Sequence, residues 1–280
     1  MIKSALRFLA KLIANQNWLY KLYMPIVYLN NHVQVIKKEQ TAIDLSNKND
    51  AKLIAIVGDP VVKNGFFKGM KYPSFDSVCS TIFPKIIGSY EAELKDTIQQ
   101  IIQNNYDVII DVGCAEGYYA VGLAMQTKAT VLAYDTDANA RKLCLEMATL
   151  NSVQDKIQIK ETFTIDDIKK LDPNKRTVII CDCEGYEKYL FTTESISLLK
   201  NVDILIETHD FIDLSISTTI TDLFKPTHHI QTIASLDDNL KAKYYQYKEA
   251  EQQDIYTKKE LFAEVRPCTM EWIWATTKNK

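Results

Sequence analysis

The stretch DVIIDVGCAEGYYAVGLA, from Asp107 to Ala124, is the part of the sequence that decides the fold. It opens with an apolar run typical of a buried strand, passes through a loop with two glycines, and continues as an apolar run typical of a helix. A strand, loop and helix in this order place backbone N–H groups at the start of the helix, where they can face a bound ligand. We therefore expect a ligand to lie against this loop.

Strand-like and helix-like segments alternate along the chain after this loop. The strand-like segments are DVIIDVG, TVLAYD, KIQIKE, TVIICDCEG and VDILIETHD, and the helix-like segments between them are GYYAVGLAMQ, ANARKLCLEMATLN, DIKKLD and YEKYLFTTESISLLK. This alternation predicts an α/β, Rossmann-like doubly wound fold with a mainly parallel sheet. Near the C-terminus, HHIQTIASL and TMEWIWATT predict an antiparallel strand pair, with a charged helical insertion near 240–262 between them.

The composition is that of an ordinary globular protein, with 280 residues of which 46% are hydrophobic and 25% charged. A net charge of -3 argues against a nucleic acid partner held through its phosphates. The six cysteines form no CxxC pair, which argues against a zinc site and against a disulfide framework. We interpret them as reduced thiols of a cytoplasmic protein.

Two parts form the expected domain organisation, an N-terminal extension over 1–90 and a catalytic domain over 91–280. The first residues predict an amphipathic helix, because basic residues recur every fourth position opposite apolar ones; they are Lys3, Arg7 and Lys11 against Ile2, Leu6, Leu9 and Ile13. The charges argue against a membrane span. The helix either packs on the body of the protein or provides peripheral membrane binding or self-association.

A second element of the extension is the loop-like stretch GDPVVKNGFFKGMKYPS. Its glycines and prolines predict turns, while aromatic and apolar side chains recur between them. Either these side chains pin a long loop onto the core, or the stretch acts as a lid over the ligand site.

The loop chemistry distinguishes two kinds of ligand. A dinucleotide site uses the pattern G-x-G-x-x-G, whose glycines let the backbone approach a pyrophosphate. Here Ala115 stands at the second glycine position, Glu116 adds a negative charge, and the bulky Tyr118 stands at the third. A pyrophosphate would meet crowding and repulsion, whereas the cationic methionine part of S-adenosylmethionine would be attracted by Asp111 and Glu116. The loop therefore favours S-adenosylmethionine.

The end of the next strand supports an adenosine-containing ligand. Asp135 follows Gly117 by eighteen residues, at a strand end where a carboxylate can accept hydrogen bonds from both ribose hydroxyls. Asp137, two residues later, is better placed to cap the following helix. The predicted cofactor-binding residues are Asp111, Gly113, Ala115, Glu116, Gly117, Asp135 and Asp182.

Three motifs resemble those of the FkbM-type group of class I S-adenosylmethionine-dependent methyltransferases. They are DVIIDVGCAEGYYAVGLA, then VIICDCEGYEKYLF with its D-x-E-G-x-E pattern, then VDILIETHDF with its E-x-H strand end. The ending RPCTMEWIWAT also resembles the last strand of that group, so the resemblance covers about 91–277. It implies O-methylation of a sugar or another hydroxylated metabolite, with no metal common to the group.

Transfer of a methyl group to a hydroxyl requires positioning and removal of a proton. His209 follows a strand at its carboxyl end, and we predict it as the general base, with a structural hydrogen bond as the alternative. Asp182 and Glu184 complete the predicted catalytic set, and Asp182 could itself be the base. Glu187 suits the start of a helix for electrostatic reasons alone. No metal is favoured, although Asp182, Glu207 and His209 could together bind a divalent cation such as magnesium or manganese.

The function predicted from the sequence is therefore S-adenosylmethionine-dependent O-methylation of a small-molecule or glycan acceptor. A binding or scaffold protein that keeps the fold without turnover is one alternative. A methyltransferase acting on a protein or an RNA is another, but the sequence lacks the asparagine-proline-proline type of motif expected for methylation of an amino nitrogen.

Overall fold

The computed structural model describes residues 51–278 without a gap, and single residues between 13 and 37. The chain divides into two compact units, Met1–Asp44 and Leu45–Lys280. In the first unit the described residues, among them Ile13 and Val33, are mostly helical. The amphipathic pattern over residues 2–11 lies outside the described residues, so its membrane or subunit contacts stay a prediction. No helix in the described part of the chain has the length and apolarity needed to cross a bilayer.

The second unit contains a sheet whose strand order is β3-β2-β1-β4-β5-β7-β6. The strands are β1 Val108–Val112, β2 Thr130–Tyr134, β3 Ile157–Lys160, β4 Thr177–Cys181, β5 Asp203–Thr208, β6 His228–Ala234 and β7 Glu271–Thr277. Strands β1 to β5 are parallel, and β7 lies antiparallel between β5 and β6. The predicted Rossmann-like α/β fold and its C-terminal antiparallel pair are confirmed. Because the strand order reverses between β1 and β4, a crevice opens at the carboxyl ends of these two strands.

Helices cover both faces of the sheet. They are α1 Ala51–Val57, α2 Ile82–Ile87, α3 Lys95–Gln103, α4 Tyr118–Gln126, α5 Ala138–Leu150, α6 Ile165–Lys169, α7 Glu187–Leu190, α8 Thr193–Leu198, α9 Ile216–Phe224, α10 Asp238–Tyr244 and α11 Ile255–Phe262. Since side chains alternate along a strand, Ile109 and Ile110 of β1 enter two different hydrophobic cores. Helices α1 to α5 pack on the core of Ile109, and α6 to α9 pack on that of Ile110.

For two segments the prediction of one continuous helix is wrong. The stretch YEKYLFTTESISLLK is broken into α7 and α8, because Thr192 and Ser195 form a capping box that begins a new helix. The segment near 240–262 is not one charged helix but α10, the short 3-10 helix Lys248–Ala250 and α11. Here Asp254 begins α11 by accepting a hydrogen bond from the backbone N–H of Thr257.

The loop-like stretch before α2 packs on the core. Phe67, Met70 and Tyr72 are all buried. The ring of Phe67 lies so close to α4 that a Cβ on Gly122 would be 2.5 Å from it. This packing is what the first interpretation of the stretch, a loop pinned onto the core, expects. The motion that a lid requires stays a prediction.

The ends of β1 and β4 approach each other without room for a side chain. Gly113, directly after β1, has a φ of +83°, and a Cβ built there would lie 1.6 Å from the carbonyl oxygen of Asp182. Gly69 offers a matched comparison, because it has a φ of +92° but nothing within 4 Å of a Cβ. Of these two glycines, Gly113 therefore combines the left-handed backbone with a lack of space for a side chain, whereas Gly69 has the left-handed backbone alone.

Gly113→Ala should lower the free energy of unfolding more than Gly69→Ala does. The backbone conformation alone costs about 1–2 kcal/mol for a side chain, and the overlap with Asp182 adds about 1–3 kcal/mol. Urea unfolding followed by circular dichroism measures both. Equal losses in the two variants would contradict the close approach.

Candidate functional site

A cavity of about 470 Å³ lies at the carboxyl ends of β1, β2 and β4. Six of the residues predicted from the sequence line it, namely Asp111, Gly113, Ala115, Asp135, Asp182 and Glu184. Three others do not, namely Glu116, Gly117 and His209. The volume is within the range of small-molecule and cofactor sites.

The loop after β1 is held by backbone hydrogen bonds. The N–H groups of Gly113 and Cys114 both donate to the carbonyl oxygen of Tyr134, at 2.9 and 3.0 Å. Gly117 has a φ of +100° and begins α4, and a Cβ there would lie 2.9 Å from the Cys144 sulfur. The sequence therefore shapes a tight loop, and its residues Gly113, Cys114 and Ala115 line the cavity.

Glu116 does not line the cavity, although the sequence predicts it as a cofactor-binding residue. It is 1% exposed and its carboxylate accepts from Lys85 Nζ at 2.5 Å, from Ser77 Oγ at 3.1 Å and from the backbone N–H of Val78 at 3.1 Å. Lys85 is 2% exposed and also lies 4.9 Å from the ring centre of Tyr90. Glu116 thus fixes the segment before α2 against the loop, and this segment forms one wall of the cavity.

Asp135 lies at the end of β2 and lines the cavity. Its two carboxylate oxygens accept hydrogen bonds from the backbone N–H groups of Ala115 and Asp137, each at 2.8 Å. A carboxylate oxygen has a second lone pair, so both oxygens can still accept from a ligand hydroxyl. Asp137 caps α5 by accepting from the N–H of Asn139 at 2.9 Å, which confirms the cap predicted for it.

Asp111 lines the cavity and is 3% exposed. In the described part of the chain its Oδ2 has no hydrogen-bond partner. Burial raises the pKa of Asp111 to about 8, against a smaller lowering by the backbone N–H of Ala120. A buried carboxyl group with a free oxygen can bind a cationic group of a ligand once it loses its proton.

His209 lies at the centre of four carboxylates. Its Nε2 is 3.4 Å from Asp182 Oδ1, 3.5 Å from Glu184 Oε2 and 3.8 Å from Glu207 Oε2, and its Nδ1 is 3.0 Å from Glu187 Oε1. The structure therefore brings together the three predicted catalytic residues. Glu187, which the sequence assigned mainly to the helix start, is fully buried and contacts the histidine ring.

The charge on His209 follows from these contacts. Burial disfavours the imidazolium, but the adjacent carboxylates of Asp182 and Glu187 outweigh it and raise the pKa of His209 well above its ordinary value. Burial acts to raise the pKa of Asp182, but the adjacent His209 outweighs it and lowers that pKa. At neutral pH the pair is therefore an imidazolium and a carboxylate. A protonated histidine cannot act as a general base, so the geometry favours Asp182, which also reaches the cavity.

An ion-pair network behind this cluster was missed from the sequence. Arg266 contacts the carboxylates of Glu91 and Glu264, at 2.7 and 2.9 Å, and also that of Glu207. Glu264 in turn pairs with the fully buried Lys241. Glu207 is 59 residues from Arg266 in the chain, so no local pattern indicates the pair. The only signal is an arginine shortly before the last strand.

Asp182, Glu207 and His209 are the described residues that could hold a metal ion, since each offers one atom and these atoms lie within 4.8 Å of one another. Their mixed oxygen and nitrogen set would suit magnesium or manganese. A cation there would replace the proton on Nε2 of His209 and would compete with Arg266 for Glu207. The absence of a metal from the predicted site residues stays a prediction.

Part of the chain matches a known family model. Residues 94–183 match the model of ribosomal protein L11 methyltransferase (PrmA). The matched segment is about a third of the chain, contains β1 to β4 with Asp111 and Asp135, and ends just before Glu184. No curated protein sequence matches the chain.

Solved structures with a similar fold include three described as methyltransferases or as cofactor-bound. A candidate O-methyltransferase from Klebsiella pneumoniae has 10% identity and a TM-score of 0.46, over 68% of this chain and 82% of that one. The O-methyltransferase TomG from Streptomyces achromogenes, in complex with SAM, has 9% identity and a TM-score of 0.45, over 68% and 81%. Cofactor-bound Rv0187 from MTB has 10% identity and a TM-score of 0.45, over 69% and 82%.

An NMR titration of labelled histidines should place the pKa of His209 above about 6.5, while burial lowers that of His228. Glu187→Gln should lower the His209 pKa, because it removes the charge of the carboxylate that contacts Nδ1 of the ring. Glu194→Gln, on the surface of α8, serves as the control. The pKa of His209 is higher in the folded protein than in the unfolded chain. The imidazolium therefore stabilises the fold fully at pH values below the unfolded-state pKa, and this stabilisation is lost as the pH rises through the folded-state pKa. A His209 pKa at or below that of His228 would contradict the cluster.

Proposed function

We propose that the protein is an S-adenosylmethionine-dependent methyltransferase of the FkbM type that methylates a hydroxyl group of a sugar, a glycan or a related metabolite. One observation carries the proposal. The cavity offers one carboxylate at a ribose position, Asp135, and a second, Asp111, that is buried with a free oxygen. Ala115 and Tyr118 occupy the positions where a dinucleotide loop has glycine.

The cofactor can be placed along the cavity from these groups. The ribose hydroxyls would donate to Asp135, and the ammonium group of the methionine part would lie towards Asp111. The adenine would lie beside Thr162 and Phe163, which line the cavity after β3. The sulfonium would then face Asp182, where the acceptor hydroxyl must be held.

The reaction breaks the bond between sulfur and the methyl carbon, forms the bond between the acceptor oxygen and that carbon, and releases a proton and S-adenosylhomocysteine. Asp182 would accept the proton, because it is ionised and reaches the cavity. His209 would hold Asp182 in place as an imidazolium, from a position 2% exposed and outside the cavity lining. This assignment moves the general base from the predicted His209 to Asp182.

Methylation of a protein is the second candidate, because the matched family model is that of a ribosomal protein methyltransferase. The matched segment ends at residue 183, before β5, whose carboxyl end carries Glu207 and His209. The match therefore supports the cofactor half of the site, and it does not extend over the acceptor half. The type of bond to the transferred methyl group distinguishes the two candidates.

The experiment that tests the function incubates the full chain with S-adenosylmethionine labelled in the methyl group and with fractionated metabolites, glycans and proteins of the source cell. We expect label on the oxygen of a hydroxylated acceptor. Asp182→Asn should lower the rate by about 100-fold or more while changing cofactor affinity far less. Label on protein nitrogen would favour the second candidate. Full activity of Asp182→Asn would exclude Asp182 as the base.

Cofactor binding should release a proton near neutral pH. In the free protein Asp111 is protonated below about pH 8, and a cationic ligand binds the ionised form better. Affinity should therefore rise with pH from 6 to 7.5, by at most about tenfold per pH unit.

Calorimetry in two buffers of different ionisation heat measures the released proton. Asp111→Asn, which cannot ionise, should bind more weakly and with an affinity that changes little over this range. Binding by the wild-type protein at pH 7 without proton release would contradict the assignment of the ammonium group to Asp111.

A further inference from the structure

Two exposed tyrosines lie next to each other at α7, and one of them lines the cavity. Tyr186 lines the cavity and is 44% exposed, and Tyr189 in the next turn of α7 is 73% exposed. Their ring centres are 6.0 Å apart and the ring planes are inclined by 33°. The two rings therefore form one continuous aromatic surface, which we call the tyrosine ledge.

The position of the ledge sets it apart from other exposed apolar side chains. Among the large hydrophobic residues that are exposed in the described part of the chain, Tyr186 is the one that lines the cavity. Others, such as Tyr256 on α11, are exposed elsewhere. Exposed aromatic rings beside a cavity are characteristic of binding surfaces, since their flat faces provide contact area at little entropic cost.

Two contacts fix the position of α7, and with it the ledge, relative to His209 and the carboxylates around it. Gly185, with a φ of +92°, packs so closely on Ile212 that a Cβ would lie 3.0 Å from its Cδ1. Lys188 Nζ donates to Asp213 Oδ2 at 2.5 Å and to Ser215 Oγ at 3.1 Å. These contacts tie α7 to the loop that follows His209, so the ledge is presented on the same side as the cluster.

The charges around the cavity restrict what can lie on the ledge. Its described lining includes six acidic side chains, namely Asp111, Asp135, Asp137, Glu161, Asp182 and Glu184, and burial raises the pKa of one of them, Asp111, to about 8. The one cation in that lining is Lys85, whose ammonium group bonds to Glu116, Ser77 and Ser80. A phosphate or carboxylate on the acceptor would therefore meet repulsion, and the one cation of the described lining already pairs with Glu116. Hydroxyl groups, in contrast, can donate to carboxylate oxygens.

We propose that Tyr186 and Tyr189 stack against the apolar face of an uncharged sugar ring, while Asp182 and Glu184 accept hydrogen bonds from its hydroxyls. The C–H groups on one face of a pyranose match the flat, electron-rich face of an aromatic ring. This inference rests on the proposed function and narrows its acceptor to an uncharged pyranoside. It excludes sugar phosphates, nucleotides and RNA as acceptors.

The test uses the full chain loaded with S-adenosylhomocysteine and an array of uncharged glycans, each paired with the same glycan carrying a phosphate monoester. The best uncharged glycan is then titrated in a calorimeter. We expect binding to uncharged glycans, with the phosphorylated partner weaker by about tenfold or more. Equal binding of the two partners, or binding of no glycan on the array, overturns the proposal.

Variants of the ledge complete the test. Tyr186→Ala combined with Tyr189→Ala should weaken glycan binding by about tenfold or more, whereas the two Tyr→Phe changes keep the rings and should keep most of the affinity. Tyr256→Ala is the matched control. If the double alanine variant binds the glycan with unchanged affinity, the proposed stacking of the sugar on the ledge is wrong. Titration of S-adenosylmethionine into the same proteins, before they are loaded with S-adenosylhomocysteine, separates the two failures. Cofactor binding without glycan binding refutes the ledge alone, and absence of cofactor binding refutes the proposed function.

Discussion

The close approach of two backbone segments at the switch point of the sheet is the constraint on which the site depends. Gly113 follows β1 and meets the carbonyl oxygen of Asp182 after β4, with no space for a Cβ between them. This contact brings the loop that begins α4 next to the strand end that carries Asp182 and Glu184. The loop from Gly113 to Gly117 and the carboxylates of Asp182 and Glu184 therefore follow adjacent strands. The cavity of about 470 Å³ lies across the ends of these strands.

Charge is the second feature that organises the site. Among the described residues of the site, carboxylates outnumber cations, and the buried cations are already paired. Lys85 pairs with Glu116, while Arg266 pairs with Glu91, Glu207 and Glu264. His209 provides a further positive charge among its carboxylate neighbours. The carboxylates that remain beside the cavity suit a cationic cofactor and an uncharged acceptor, so one distribution of charge accounts for both proposed ligands.

The sequence predicts the fold well because apolar runs and loops alternate regularly from Asp107 onwards, and this alternation indicates a mainly parallel sheet. Local signals also predict the cap at Asp137. They fail at the break before Thr192, where a capping box competes with a continuous apolar pattern. In the site, strand ends indicate which carboxylates gather. Partners far apart in the chain, such as Lys85 with Glu116 and Arg266 with Glu207, depend on packing and could not be predicted. The same packing determines the charge of His209, which the sequence could not indicate.

The central claim is that the loop from Asp111 to Gly117 serves a sulfonium cofactor and not a pyrophosphate. Calorimetric titration of the full chain with S-adenosylmethionine and, separately, with a nicotinamide dinucleotide tests it most directly. The account predicts saturable one-to-one binding of S-adenosylmethionine, lost in Asp135→Ala, and no binding of the dinucleotide at the same concentrations. Binding of the dinucleotide in preference to S-adenosylmethionine would contradict it.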